Sequence, residues 1–193
     1  MKKFIAVNSL GDIQYTVSHA QDSFYIENPK LGELSFHEVP MALEDNGILA
    51  TGYWDGELKT RPIRPSLFHL WDNASLQWNI NLADAKTQAW GRIKSSRNQA
   101  ESAGFFWDGS EFDSDQISQV RIVSAVSLAV NLPSFTTEWV LKDNATRTLD
   151  GVGMSQVGNA LSCHIATQFA KSITLRNQIN LASNEAEVDA AIW

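Results

Sequence analysis

A tryptophan followed by an aspartate and a turn residue occurs three times, at Trp54-Asp55-Gly56, Trp71-Asp72-Asn73 and Trp107-Asp108-Gly109, and a stretched version runs from Trp139 to Asp143-Asn144. Asp, Asn and Gly tolerate the positive φ angles of tight reversals. Each copy therefore predicts a strand that ends on a large apolar side chain and turns back as a hairpin. The chain is expected to be assembled from short hairpins anchored by indoles, with helices supplying the remaining cover.

The first eighty residues read mainly as β. Phe4 to Val7, Ile13 to Val17, Ser23 to Ile26 and Glu33 to Phe36 are short runs rich in β-branched and aromatic residues, bounded by Asn, Gly, Asp and Pro. Their spacing suits a meander or small barrel. Ile48 to Trp54 and Glu57 to Thr60 flank the first Asp-Gly turn, Pro62 and Pro65 break the run that follows, and Phe68 to Trp71 and Leu76 to Asn79 flank the next turn.

From Asn81 the period lengthens. Leu82, Ala85, Ala89, Trp90, Ile93 and Arg97 follow a helical repeat, with Asn81 as cap and an end near Gly104. A third hairpin at Trp107 is followed by a predicted helix from Asp115 to Val130, capped by Asp113 or Ser114 and stopped by Pro133. Ile117, Val120, Val123 (or Ser124), Ser127 and Leu128 are its expected apolar face. A long helix from about Met154 to Ala182 carries the stripe Val157, Leu161, Ile165, Phe169, Ile173 and Ile179, and Ser183 caps a last short helix bearing Val188, Ile192 and Trp193. The expected fold class is α+β: a β-rich unit over 1–80, a connecting helix over 81–103, and a hairpin-plus-helices domain over 104–193.

With 193 residues the chain is long enough for one medium core or two small ones without covalent staples. Cys163 is the only cysteine, which excludes an internal disulfide and fits a reducing compartment; in a helix, a lone cysteine is expected to be a small core residue. The basic head at Lys2-Lys3 precedes too short an apolar run for a signal peptide, and no stretch reaches the length of a membrane span. Net charge is −7, and residues 104–193 hold about twice as many acids as bases, with no basic stripe to neutralise phosphates. Neither nucleic acid nor membrane is an expected partner.

Catalytic signatures are missing. His19, His37, His69 and His164 are scattered, with no zinc spacing, no nucleophile elbow and no phosphate loop. Neighbouring Cys163 and His164 point apart on a helix. Asp108, Glu111, Asp113 and Asp115 could offer oxygens to calcium but lack the loop pattern, so turn formation and helix capping account for them. No catalytic residue, cofactor or metal is expected. Trp54, Trp71 and Trp107, each beside an aspartate, could form a sugar platform, although a tryptophan entering a turn is more often core.

The segment Trp71-Asp72-x4-Gln77-Trp78, Ala85-Lys86, Trp90-x2-Ile93-Lys94-x2-Arg97 and Phe106-Trp107-Asp108-Gly109-x2-Phe112-Asp113-Ser114-Asp115-x2-Ser118-x2-Arg121-Ile122 resembles a little-characterised domain of tailed-phage tail proteins. Trp139-x-Leu141-x-Asp143-Asn144, a helix carrying His164, Leu175-Arg176-x-Gln178-Ile179 and a final helix ending in tryptophan continue the likeness, which covers about residues 71–193. The resemblance implies a non-enzymatic tail protein that binds tail-fibre or baseplate proteins, either as a virion component or as a transient fibre-assembly chaperone, working in the host cytoplasm during assembly and then in the virion tail. Arg61, Pro62, Arg64, Pro65, Ile192 and Trp193 are the expected partner contacts, with Trp193 expected to pack within the chain. Self-association is left open.

Overall fold

The computed structural model describes residues 1–19 and 34–193. The strand expected over 23–26 lies outside the described residues. The fold is α+β and forms two compact units, Met1–Asn81 and Leu82–Trp193.

The first unit is organised by β1 (Lys2–Val7), with β2 (Ile13–His19) and β3 (Ser35–Val39) pairing antiparallel on its two sides. Among the described residues the sheet order is β2-β1-β3, which places the first strand in the middle instead of in the sequential order of a meander. A central strand covered on both faces reads as a continuous apolar run. Phe4, Ile5, Ala6 and Val7 are accordingly all buried. Lys3 is buried beside them, and its ammonium donates to the Leu43 carbonyl and lies 2.9 Å from Asp45 Oδ1.

The run 48–54 is not a strand throughout. Helix α1 (Asp45–Thr51) precedes β4 (Gly52–Trp54), which pairs with β5 (Leu58–Thr60). Ile48 is the one buried residue of α1 and joins Ile5, Val7 and Val39 in the core, while Gly52 ends the helix by donating its N–H to the Ile48 carbonyl. A Cβ on Gly52 would sit 2.4 Å from that carbonyl oxygen, so the strand can begin there only with glycine. Strands β6 (His69–Asp72) and β7 (Gln77–Ile80) form the next hairpin, with Trp71 directly opposite Trp78.

The second unit is built around α4 (Gly151–Leu181), a helix of 31 residues. The helix expected over 81–103 is α2 (Leu82–Glu101); it belongs to this unit and packs on α4 with Ala85, Ala89 and Ile93 buried. The two run antiparallel, since Lys86 Nζ donates to the Asn180 carbonyl while His164 Nε2 lies 3.0 Å from the Ala100 carbonyl. Hairpin β8 (Phe105–Trp107) and β9 (Ser110–Phe112) leads to α3 (Gln116–Asn131). Hairpin β10 (Thr136–Val140) and β11 (Thr146–Asp150) leads to α4, and α5 (Glu185–Asp189) follows it. Phe105, Phe112, Ile122, Phe135, Leu149 and Met154 meet in the core.

Three caps differ from expectation or add to it. Asp115, not Asp113 or Ser114, caps α3 by accepting from the Ile117 and Ser118 amides, and Asp150 caps α4 through the Gly153 amide. Ser114 is instead buried, its hydroxyl donating to the Glu101 carbonyl at 2.6 Å and accepting from the Gly104 amide at 2.8 Å. Asn184, one residue after the expected Ser183, caps α5; Glu187 reaches back to accept from the Ser183 amide. That reciprocity is a capping box displaced by one residue.

The apolar stripes of α3 and α4 also differ from those expected. On α4 the buried positions are Met154, Val157, Leu161, Ser172, Leu175 and Ile179, whereas Phe169 and Ile173 are about half exposed. A stripe stepping by four residues rotates about 40° per step on a helix of 3.6 residues per turn, so it winds away from the core. On α3 only Ile122 is buried, with Ala125, Val126 and Ala129 packed beside it. The small residues of α3 face α4 because Gly158 and Gly151 lie against Val126 and Ala129 and let the helices approach closely.

Candidate functional site

The hairpin chemistry of the first unit produces a cleft. Asp72 accepts from the Ala74 amide and the Ser75 hydroxyl, which fixes the β6–β7 turn, and those bonds hold its carboxyl below the usual carboxylate range, with Ser75 the largest cause. The Trp71 and Trp78 rings then meet edge to face with centroids 5.3 Å apart. The proline-broken segment 61–65 lies beside them. Arg61 N–H donates to the Thr51 carbonyl at 2.7 Å, Trp78 Nε1 donates to the Pro62 carbonyl at 2.9 Å, and the Arg64 guanidinium donates to the carbonyls of Leu67 and His69. The resulting cleft has a volume of about 940 Å³, and its lining includes Asp12, Arg61, Arg64, His69, Trp71 and Trp78.

Structure therefore brings together residues that the sequence placed in different roles: Arg61, Pro62 and Arg64 as partner contacts and Trp71 as a sugar platform all line one cleft. Pro65 is exposed but does not line it. Trp54, in the same unit, is half-buried under the His37 ring, stacked at 3.8 Å, and burial lowers the pKa of that histidine. Trp107 belongs to the second unit, half-buried against Phe112 with the Arg147 guanidinium 4.7 Å over its ring. Ile192 is exposed, and Trp193 is half-buried with the Lys171 ammonium 4.5 Å over its ring.

The second unit carries a different feature. Ile117, Val120, Val123 and Leu128 on α3 are 63%, 62%, 64% and 55% exposed, and Val130 is exposed beside them. Ile117, Val120, Val123 and Leu128 were expected to face the core. They instead form an outward apolar face on a helix whose only charge is Arg121. Scattered surface apolar residues are normally single, whereas here they recur along one helix, interleaved with the exposed Ser124 and Ser127. The signal was legible as the scarcity of charge on α3.

Three carboxylates of the acidic cluster make contacts within the fold. Asp108 pairs with Arg147, Glu111 lies 2.5 Å from Lys142, and Asp115 caps α3 with its pKa lowered first by the Ser118 hydroxyl. Cys163 is exposed, against the expectation of a core residue, while His164 turns to the Ala100 carbonyl and the Phe105 ring. The two side chains point apart, as expected of adjacent helical positions. No helix among the described residues is long and apolar enough to cross a membrane.

A family model described as a domain of unknown function (DUF4376) matches residues 84–192. No curated protein and no solved structure matches the chain.

Proposed function

The chain belongs to the family of the domain of unknown function DUF4376, and we propose that it is a non-enzymatic tail protein of a tailed bacteriophage that binds a tail-fibre or baseplate protein. The observation that carries the binding part is the outward face of α3, where Ile117, Val120, Val123 and Leu128 stand in solvent around a single charge. Exposed apolar surface of this kind, concentrated on one rigid element, is what a protein interface covers. The phage assignment rests on the likeness of residues 71–193 to tail proteins. On this reading the protein acts in the host cytoplasm during assembly and remains on the fibre in the virion tail. No nucleic acid or membrane takes part.

Co-expression with the fibre protein of the same genome, affinity purification and light-scattering mass test the reading. A complex of defined mass that is lost with Val120→Glu and Val123→Glu, in a chain that still folds, supports an adaptor that stays on the fibre. Soluble fibre trimers eluting without the protein favour a transient assembly chaperone. Fibre and baseplate proteins that behave identically with and without it overturn the proposal.

A further inference from the structure

The cleft of the first unit has a chemistry that the binding of tail proteins does not use. Its walls are pre-set: the backbone of segment 61–65 is tied to Thr51 and to the Trp78 indole, and Arg64 is held by two carbonyls. The volume of about 940 Å³ falls within the range of small-molecule sites. Its charge is opposite to that of the chain. Arg61 and Arg64 line it against the single carboxylate of Asp12, whereas the whole chain carries −7.

The two guanidiniums are incompletely used. Arg61 Nη2 stands 3.6 Å from Asp12 Oδ1, and Asp12 also accepts from Asn73. Arg61 Nε is buried and has no hydrogen-bond partner. Arg64 has no carboxylate partner among the described residues; its guanidinium sits 5.9 Å from the Trp78 ring centroid, as that of Arg61 sits 5.6 Å from Trp71. A guanidinium fork matches a carboxylate in geometry as well as charge. Indoles beside it offer flat apolar surface for a ring, and Thr51, Thr60 and Asp12 line the same space.

We propose that this cleft is a binding site for a carboxylate-bearing sugar of the hexuronic acid class, with Arg64 and Arg61 receiving the carboxylate and Trp71 and Trp78 receiving the apolar face of the ring. Trp54 and Trp107 take no part. The site is independent of the α3 face and stands or falls separately from the docking of a tail protein.

The test is isothermal titration calorimetry of the full chain with trigalacturonate, its methyl ester and a triglutamate peptide, with sulfate as an anion control. Trigalacturonate is expected to bind saturably at one site and the uncharged ester at least about tenfold more weakly, since the ester keeps the rings and loses the charge-assisted hydrogen bonds. Arg64→Gln should abolish binding. Because Arg64 also holds two carbonyls, Ile63→Asp serves as the second variant: Ile63 is 95% exposed, and an added carboxylate there should repel the ligand in a chain with an unchanged melting temperature. Absence of binding, equal binding of the ester, tighter binding of triglutamate or of sulfate, or full binding by Ile63→Asp would each overturn the proposal.

Discussion

Val126 of α3 rests on Gly158 of α4 so closely that a Cβ on the glycine would lie 2.7 Å from Val126 Cγ2. The contact sets how near the two helices come. Gly158→Ala improves helix propensity by about 1 kcal/mol, but overpacking of a stiff β-branched neighbour costs about 1–3 kcal/mol. A net loss of about 1 kcal/mol is expected in urea unfolding. Val126→Ala in the same chain should recover it, and additive effects in that double-mutant cycle would show that the helices are not in contact there.

Ile122 and Val123 are neighbours in sequence with opposite environments. Ile122 is 0% exposed in the core with Phe112 and Met154, so Ile122→Ala should cost about 2–5 kcal/mol. Val123 faces solvent, and Val123→Ala should change stability by no more than about 0.5 kcal/mol. Equal losses in the two denaturation curves would mean that the outward face of α3 is covered within the chain.

Ser114 ties the end of α2 to the start of the β8 hairpin from a fully buried position. Ser114→Ala leaves the Gly104 amide and the Glu101 carbonyl without this partner, a loss of about 1–3 kcal/mol. Faster amide exchange at Gly104 than in the parent chain is the local readout. Unchanged exchange would remove the serine from that role.

Acid should destabilise the fold by a defined route. Asp115, Asp72, Asp45 and Glu187 all have lowered pKa values in the folded chain, caused first by hydrogen bonds from Ser118, Ser75, Lys3 and Ser183 respectively. The unfolded chain then binds more protons, so this stability is fully present above the ordinary carboxylate range of about 4 and is lost as pH falls through the folded values. His37 acts in the same sense at higher pH. Its lowered pKa means stability declines as pH falls below about 6.5. Urea midpoints from pH 8 to pH 3 should therefore fall, and Asp115→Asn, which keeps a good cap, should flatten the acidic part. A midpoint that rises on acidification contradicts the assignment.

The four turn signals were legible because turn geometry is local. Trp-Asp-Gly at 54–56 and 107–109, Trp71-Asp72-Asn73 and Asp143-Asn144 all mark hairpins, with positive φ at Gly56, Asp108, Gly109 and Asn144. The helices after Asn81 were legible for the same reason, as periodicities in short windows. Run 48–54 was misread because β-branched composition does not reveal that Ile48 can reach the core from a helix. The cleft was legible only in pieces: Arg61, Arg64 and Trp71 were visible as residues, but Trp78 and His69 join them through strand pairing and backbone carbonyls.

What the amino-acid sequence by itself determined is where the chain turns and where its helices after Asn81 lie, since those choices depend on φ preference, capping and spacing within a few residues. Only the tertiary structure decided which apolar face of α3 is inside. Both faces satisfy the periodicity, and the smaller one is buried because Gly151 and Gly158 lie on a different helix, at positions that accept Ala129 and Val126. The same holds for Phe169 and Ile173, which the four-residue stripe turns outward as α4 passes from packing on α3 to packing on α2. Burial depends on which surfaces meet across long separations in the chain, and a local pattern does not contain that choice.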